Sequence, residues 1–537
     1  MSKQCGHDGV CQCRPGEDQQ PHPFTSHPFP VPGPQSQPQW ANTVGAPPAR
    51  RRRLLFVAAA AFAAVVLVAA TALGTIQLTD RDTADLTSVQ AQTQNDGTAQ
   101  PPSDTDSGTE GENDGAAPAA NPDGGATTQG GSGLDEGGVF LQSNNEVANE
   151  VVAFVRKDDG RLREIGRYLT GGQGTGSFED SAQGIVLGTA DGEASPTQNI
   201  DQADLLFVTN AGSGSITVFR VLSSGLEKVS DTPSGGNRPV SLTVNSGLLY
   251  VLNSGEVDRR LILGPTTALE NCGHGEPPSV TGFRVTPDGA LQPIPDSTRS
   301  LSGVSRSGCA QVSFTPDGRT LVVSERIATS ANQDTPNRGV ITTFEVRYDG
   351  TPGQRQLNDP AGAGTFGFTF TRDGTLVTTE QNGGLANEGG GQASTYRIGR
   401  DRALTPISRS VPNQQTDSCW AVVTDDQRLV YVSSPFGGGR ISSYALSPDG
   451  SLTLQHIAAT SADGKDPEND SLPDGATDLG LSADSNFLYQ LNSFAGTLHV
   501  FKVNPDGLLT PVEEHQVFLL EPFGTGGEAA PFGIAAR

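Results

Sequence analysis

The sequence predicts an all-β protein: a seven-bladed β-propeller with terminal strand closure, preceded by a disordered tail, a single transmembrane helix and a flexible linker. Three observations lead there. One hairpin, made of a short apolar strand, a polar turn and an alternating second strand, recurs along residues 139–503. A polar turn, Asp-Gly in most copies, follows each hairpin, giving four-stranded units of roughly 40 to 70 residues, the spacing of propeller blades. The chain then ends on a segment, residues 531–536, that reads like the strand its first unit lacks.

Residues 1–53 are rich in Pro, Gln and His and nearly devoid of aliphatic side chains, so burial cannot offset chain entropy and a disordered cytoplasmic tail is expected. Cys5, His7, Cys11 and Cys13 are soft metal ligands at short spacing, but the spacing matches no zinc module, and thiols on a flexible tail are the simpler reading. Residues 15–48 have the composition of extended polyproline segments that dock partner grooves. Residues 54–76 carry no charge over 23 positions. At about 1.5 Å per residue they span a hydrocarbon core of roughly 30 Å. Arg50, Arg51, Arg52 and Arg53 precede this span, while Asp80, Asp82 and Asp85 follow it. The bias places the N-terminus in the cytoplasm and the rest outside. Ala70-Thr71-Ala72 has the form of a cleavage site, so secretion after cleavage is the alternative. Residues 77–137, acidic and rich in Gly and Ser, read as a flexible tether, and residues 138–537 as the propeller.

The hairpin is clearest at residues 205–221, LLFVTNAGSGSITVFRV. The residue ending its first strand is Asn144, Asn210, Asn253, Glu325, Glu380, Ser434 or Asn492 in the seven copies, each four positions after an apolar residue. The first unit has strands near 139–142, 151–155 and 162–168 and lacks an innermost one, which residues 531–536 supply; such closure removes exposed sheet edges. Other inner strands are expected near 183–188, 239–244, 311–315, 367–371, 420–424 and 478–482. In an antiparallel meander the starts of these strands and the Asn/Glu series crowd one rim of the central channel, and the Asp-Gly turns face the other way. The rim is the natural concave site.

Asn or Ser serves five units, where a short side chain closes the local turn. Glu325 and Glu380, in adjacent units, are therefore acid/base candidates facing one channel, and pairing of each with a neighbouring Arg on a solvated rim is the plain structural alternative. Arg326 follows Glu325, and Arg238 precedes the third inner strand. The run Val312-Ser313-Phe314-Thr315-Pro316-Asp317-Gly318 to Val322-Val323-Ser324-Glu325 resembles the seven-bladed lactonase family, which includes 6-phosphogluconolactonases and fungal carboxymuconate cyclases; the resemblance covers residues 139–537. It implies a small lactone or sugar-acid substrate, hydrolysed or formed by cyclisation, with Glu325 matching the family's catalytic Glu. Ala310 and Gln311 stand where the family has Arg and His, and none of the seven histidines aligns to the channel. On this reading Glu325 is the general base, Arg326 or Arg238 holds an anionic substrate, and Gln311 polarises the carbonyl. Trp420 and Asp478, opening the sixth and seventh inner strands, complete the expected substrate contacts.

A net charge of −25 argues against nucleic acid, whose phosphates need a basic face. No cofactor or metal is expected: the acidic loop with Asp466, Glu468, Asp470 and Asp474 lacks the spacing of a calcium loop and reads as solvated. No phosphate-cradling Gly loop and no nucleophile elbow occurs. Cys272, Cys309 and Cys419 lie in the exported part, where disulfides persist; the sequence leaves their pairing open, and a Cys272–Cys309 bridge is one arrangement, which leaves Cys419 packed beside Trp420. A monomer is expected. The rival function is a non-catalytic propeller that binds a cell-surface ligand or protein partner.

Overall fold

Period-two alternation with β-branched and aromatic residues makes each repeat a meander of antiparallel strands, half of whose side chains face each neighbouring sheet. In a computed structural model of the chain, the described residues are 133–190, 203–256, 275–304, 307–328, 330, 332–334, 338–437, 440–465, 475–520 and 530–537. The expected tail, hydrophobic span and nearly all of the linker lie outside them, as do Cys272 and the acidic residues of 466–474. Among the described residues no helix is long and apolar enough to cross a membrane.

The strands form seven sheets around a channel. Blade 4 is representative. Its inner strand Cys309–Phe314 pairs with Thr320–Glu325, which pairs with Val340–Val346, which pairs with the outer strand Pro352–Asn358. The inner strands of blades 2, 3, 5, 6 and 7 are Ile185–Gly188, Pro239–Asn245, Thr365–Phe370, Trp420–Val423 and Ala476–Leu481. They fall within a few residues of the expected positions. Between inner and second strands the Thr315-Pro316-Asp317-Gly318 turn closes through a hydrogen bond from Gly318 N to Thr315 O, 2.8 Å, with Gly318 at φ +68°, a backbone state that favours glycine.

Blade 3 departs from the pattern. Its outer position is split into Leu291–Pro293 and Arg299–Ser300, both paired with Ser279–Val285. Pro293 and Pro295 have no N–H to offer a ladder, so the strand breaks there.

Closure follows the expected route. Val139, Phe140 and Leu141 pair with Ala536, Ala535 and Ile534, so the C-terminal strand is the inner strand of blade 1. Arg537 N donates to Gly138 O at 3.0 Å and its Nε to Leu134 O at 2.9 Å. Leu134–Gly137 forms a single helical turn with Leu134 wholly buried. An apolar cluster fills each inter-blade space, including the one between blades 7 and 1 that holds Val139, Leu141, Tyr489, Leu491, Ile534 and Ala536. One further cluster lies elsewhere, across the mouth of the channel.

Candidate functional site

The Asn/Glu series does not open on the channel. Asn210, Asn253, Glu325, Glu380 and Ser434 latch their blades to the connection arriving from the blade before, whereas Asn144 bonds to Thr175 and Ser177 of the connection leaving its blade and Asn492 accepts from Phe494 N and Ala495 N of its own turn. Asn210 accepts from Thr170 Oγ1 at 2.7 Å and Asn149 Nδ2 at 3.0 Å while donating to Ser215 and Thr217. Ser434 meets Ser418 at 3.1 Å. Glu325 performs the same task with a carboxylate. It accepts from Ser302 N (3.0 Å), Ser302 Oγ (2.7 Å), Ser307 Oγ (2.7 Å) and Thr342 Oγ1 (3.1 Å), and it is wholly buried. Glu380 accepts from Gly362 N (2.8 Å) and Ser394 Oγ (2.5 Å), also buried. Burial pushes both carboxyls above their ordinary value, with the hydroxyl and amide donors pulling the other way. Where a pair of carboxylates facing one channel was expected, Glu325 has both oxygens engaged by framework donors, and Glu380 has Oε1 engaged while its Oε2 is buried without a hydrogen-bond partner among the described residues. Glu325 forms no ion pair with Arg326, which turns to a different partner, and the cation that acts on Glu380 is Arg338.

Gln311 is likewise engaged. Its Nε2 donates to Phe368 O at 2.7 Å and its Oε1 accepts from Phe368 N at 2.8 Å, so the amide stitches blade 4 to blade 5 where carbonyl polarisation was expected. Asp478 accepts from Leu479 N (2.9 Å) and from Ile534 N (3.3 Å). It holds the closing strand, and burial pushes its carboxyl up to about 7.

The channel mouth is occupied by the chain itself. Residues 173–183 run from blade 1 toward the inner strand of blade 2 and cross the rim as a stopper. Asn144 Nδ2 donates to Ser177 O (2.8 Å), Ser181 Oγ to Val240 O (3.1 Å), Ala182 N to Ala310 O (2.9 Å) and Trp420 Nε1 to Ser181 O (3.0 Å). Phe178 packs edge-on against Phe494, ring centres 5.3 Å apart. These contacts reach blades 1, 3, 4, 6 and 7. Glu179 receives two hydrogen bonds from Arg238, at 3.1 and 3.2 Å, and Asp180 is ion-paired with Arg326. The two arginines expected to hold an anionic substrate hold stopper carboxylates, and Trp420 is buried beneath it.

Arg238, also ion-paired with Glu256, is buried with φ +53°, a conformation a bulky residue keeps only when its surroundings impose it. Burial lowers its pKa and the charges of Glu179 and Glu256 more than restore it. Arg326 is wholly buried, its guanidinium 5.3 Å from the Phe366 ring centre, and burial lowers its pKa to about 10 despite Cys419 and Asp417 nearby. Asp417, at φ +67°, is pushed up by burial to about 6, with Arg326 pulling down. The free thiol Cys419 is pushed well above its ordinary value by burial and by Asp417. A thiol so placed is no nucleophile; it packs in the mouth cluster with Trp420 as expected. Cys309 is disulfide-bonded. His456 and His515 stand on the outer strands of blades 6 and 7, and His499 on the third strand of blade 7.

Sequence reasoning missed the stopper and Asp417. Its visible signal was an unusually long connection between Leu169 and Ile185 with adjacent acids, Glu179 and Asp180, after a glycine-rich run. It also missed a depression of about 530 Å³ on the opposite face, the one carrying the Asp-Gly turns, between blades 4 and 5.

No protein-family model matches the chain, and no curated protein sequence is similar to it. Solved structures do match. A candidate 6-phosphogluconolactonase from Bacteroides fragilis NCTC 9343 superposes with a TM-score of 0.51 at 15% identity, covering 75% of this chain and 99% of its own. One from Bacteroides uniformis ATCC 8492 gives 0.51 at 14% identity, with 75% and 100% covered. A periplasmic gluconolactonase from Pseudomonas aeruginosa gives 0.51 at 15%, with 74% and 98% covered. Identity this low speaks to architecture alone, and the architecture is that of the seven-bladed propeller found in 6-phosphogluconolactonase-like proteins.

Proposed function

We propose that the chain is a membrane-anchored propeller displayed outside the cytoplasm, working as a binding module on a lactonase-type fold. One observation carries the binding reading. The carboxylates and the amide that lactone chemistry would use are spent on framework hydrogen bonds, and residues 173–183 fill the rim where a substrate would sit. A general base must reach the proton it abstracts, and Glu325 is enclosed by four hydrogen bonds from its own chain. The uncharged span 54–76, with arginines before and aspartates after, supports the anchor and its direction, and the linker supplies the tether up to Leu134, which is packed into the propeller.

Asp417 favours a second reading. A buried carboxyl raised to about 6 beside Arg326 has the character of an acid/base group, and with the stopper displaced it would face the mouth. Hydrolysis of sugar and simple lactones by the full-length chain in detergent, alongside Glu325→Gln and Asp417→Asn, separates the two. The expected result is no turnover above the spontaneous rate. Turnover that collapses in Asp417→Asn would replace the binding module with a hydrolase opened by stopper movement; turnover lost in Glu325→Gln would restore the family's Glu to its catalytic role.

A further inference from the structure

We infer that the face opposite the stoppered mouth binds an acidic sugar in the depression between blades 4 and 5. Its volume, about 530 Å³, falls within the roughly 300–1,000 Å³ of small-ligand sites. Three turns shape it: the Pro-Asp-Gly turn of blade 4, the turn at Asp373-Gly374 of blade 5, and the one at Gly399–Arg402.

The charge is the first clue to the ligand. In a chain of net charge −25, Arg319, Arg372, Arg400 and Arg402 converge on this one depression, without a lysine. Planar guanidinium forks match carboxylates in two-point contact. Arg319 and Arg372 make exposed pairs with Asp317 and Asp425, and exposed pairs are held by about 1 kcal/mol or less, so either arginine re-aims at low cost. Arg400 and Arg402 have no ion pair among the described residues, and the Nε of Arg402 is buried without a hydrogen-bond partner.

The second clue is that three acids, Asp317, Asp373 and Glu345, share the lining. Asp317 Oδ1 accepts from Thr315 Oγ1 (2.6 Å) and Arg319 N (3.1 Å), and Asp373 Oδ1 from Thr371 Oγ1 and Thr375 N. The second oxygen of Asp317 meets the exposed Arg319 at 4.0 Å, a contact weak enough for a ligand hydroxyl to displace. A bare phosphate would meet repulsion from these carboxylates. A sugar acid uses both signs, its carboxylate on the arginines and its hydroxyls donating to the aspartates. A smaller depression of about 170 Å³ adjoins across Arg372 and Asp373, lined by Gln427, Ser447 and Thr375 without further charge. That is room for a second, hydrogen-bonded ring, so the ligand is of uronic acid disaccharide size.

This inference rests on the binding-module reading for its biological sense, yet its test is separate from lactone turnover. Digalacturonate is titrated calorimetrically into the full-length chain, with neutral galactobiose and inorganic phosphate as comparators. Saturable binding of digalacturonate is expected, at least tenfold tighter than either comparator, weakened at least tenfold by Arg400→Gln with Arg402→Gln, and weakened a few-fold by Glu345→Gln, which leaves every positive charge in place. All three residues lie on the surface or partly exposed, and unchanged thermal unfolding verifies that the variants fold. Absence of binding, equal binding of galactobiose, tighter binding of phosphate, or undiminished binding in the double variant would overturn the inference while leaving the stoppered mouth untouched.

Discussion

Removal of residues 531–537 is expected to abolish cooperative unfolding of the propeller. The loss begins with Phe532, Ile534 and Ala536, all buried; burying a large apolar side chain contributes about 1.5–3 kcal/mol. It continues with the hydrogen bonds that Arg537 makes to Gly138 and Leu134. What stays behind is worse off still. Strand Gly138–Gln142 becomes an open edge, and Asp478, buried, loses the Ile534 amide that it accepts from. Against a domain stability of about 5–15 kcal/mol, the combined loss consumes most of the margin. Urea unfolding followed by tryptophan fluorescence checks this: the truncated chain should show no sigmoidal transition, while Ile534→Ala alone should keep one, lowered by about 2–5 kcal/mol. A truncated chain unfolding at the same midpoint as the intact one would show that blade 1 closes without its inner strand.

The second large effect is expected at Arg326. Its guanidinium lies wholly buried between Asp180 of the stopper and Asp417 of the connection into blade 6, over the Phe366 ring. Removing one partner of a buried pair costs about 3–5 kcal/mol, because the charge left behind has been taken out of water. Arg326→Ala leaves two such carboxyls, so a loss at the upper end of that range is expected, measured by the same urea transition. Arg326→Ala combined with Asp180→Ala should recover part of it, since contacting residues are not additive. Arg319, whose side chain is 85% exposed, supplies the contrast: Arg319→Ala should move stability by about 0.5 kcal/mol or less. A cost at Arg326 no larger than at Arg319 would mean that the ion pair with the stopper does not form.

The architecture was legible in the sequence because a propeller writes itself as repetition. Strand ends aligned on the Asn/Glu series, turns recurred on the same side, and the missing inner strand of the first unit had one place to come from. The site was less legible, and the reason lies in that same series. Glu325 and Glu380 were singled out for their chemistry, although they aligned with Asn210 and Asn253, whose side chains tie blade to connection. Position was the better guide than residue type: a carboxylate given serine and threonine donors closes the same gap as an asparagine. The stopper left no periodic trace because its contacts are made to five other blades by a glycine-rich segment without strand pairing. Arg238 and Arg326 are expected to hold an anionic substrate, and the anions they hold in the structure are Glu179 and Asp180 of their own chain.

The most direct test of the closed mouth is amide hydrogen exchange at Ala182 in the intact chain. Its N–H donates to Ala310 O at 2.9 Å, linking the stopper to the inner strand of blade 4. Exchange there should be as slow as in the inner strands, which open only with the fold. Exchange as fast as at the exposed Tyr348-Asp349 turn would show that the segment leaves the rim while the propeller stays folded, and the mouth would then be an accessible site.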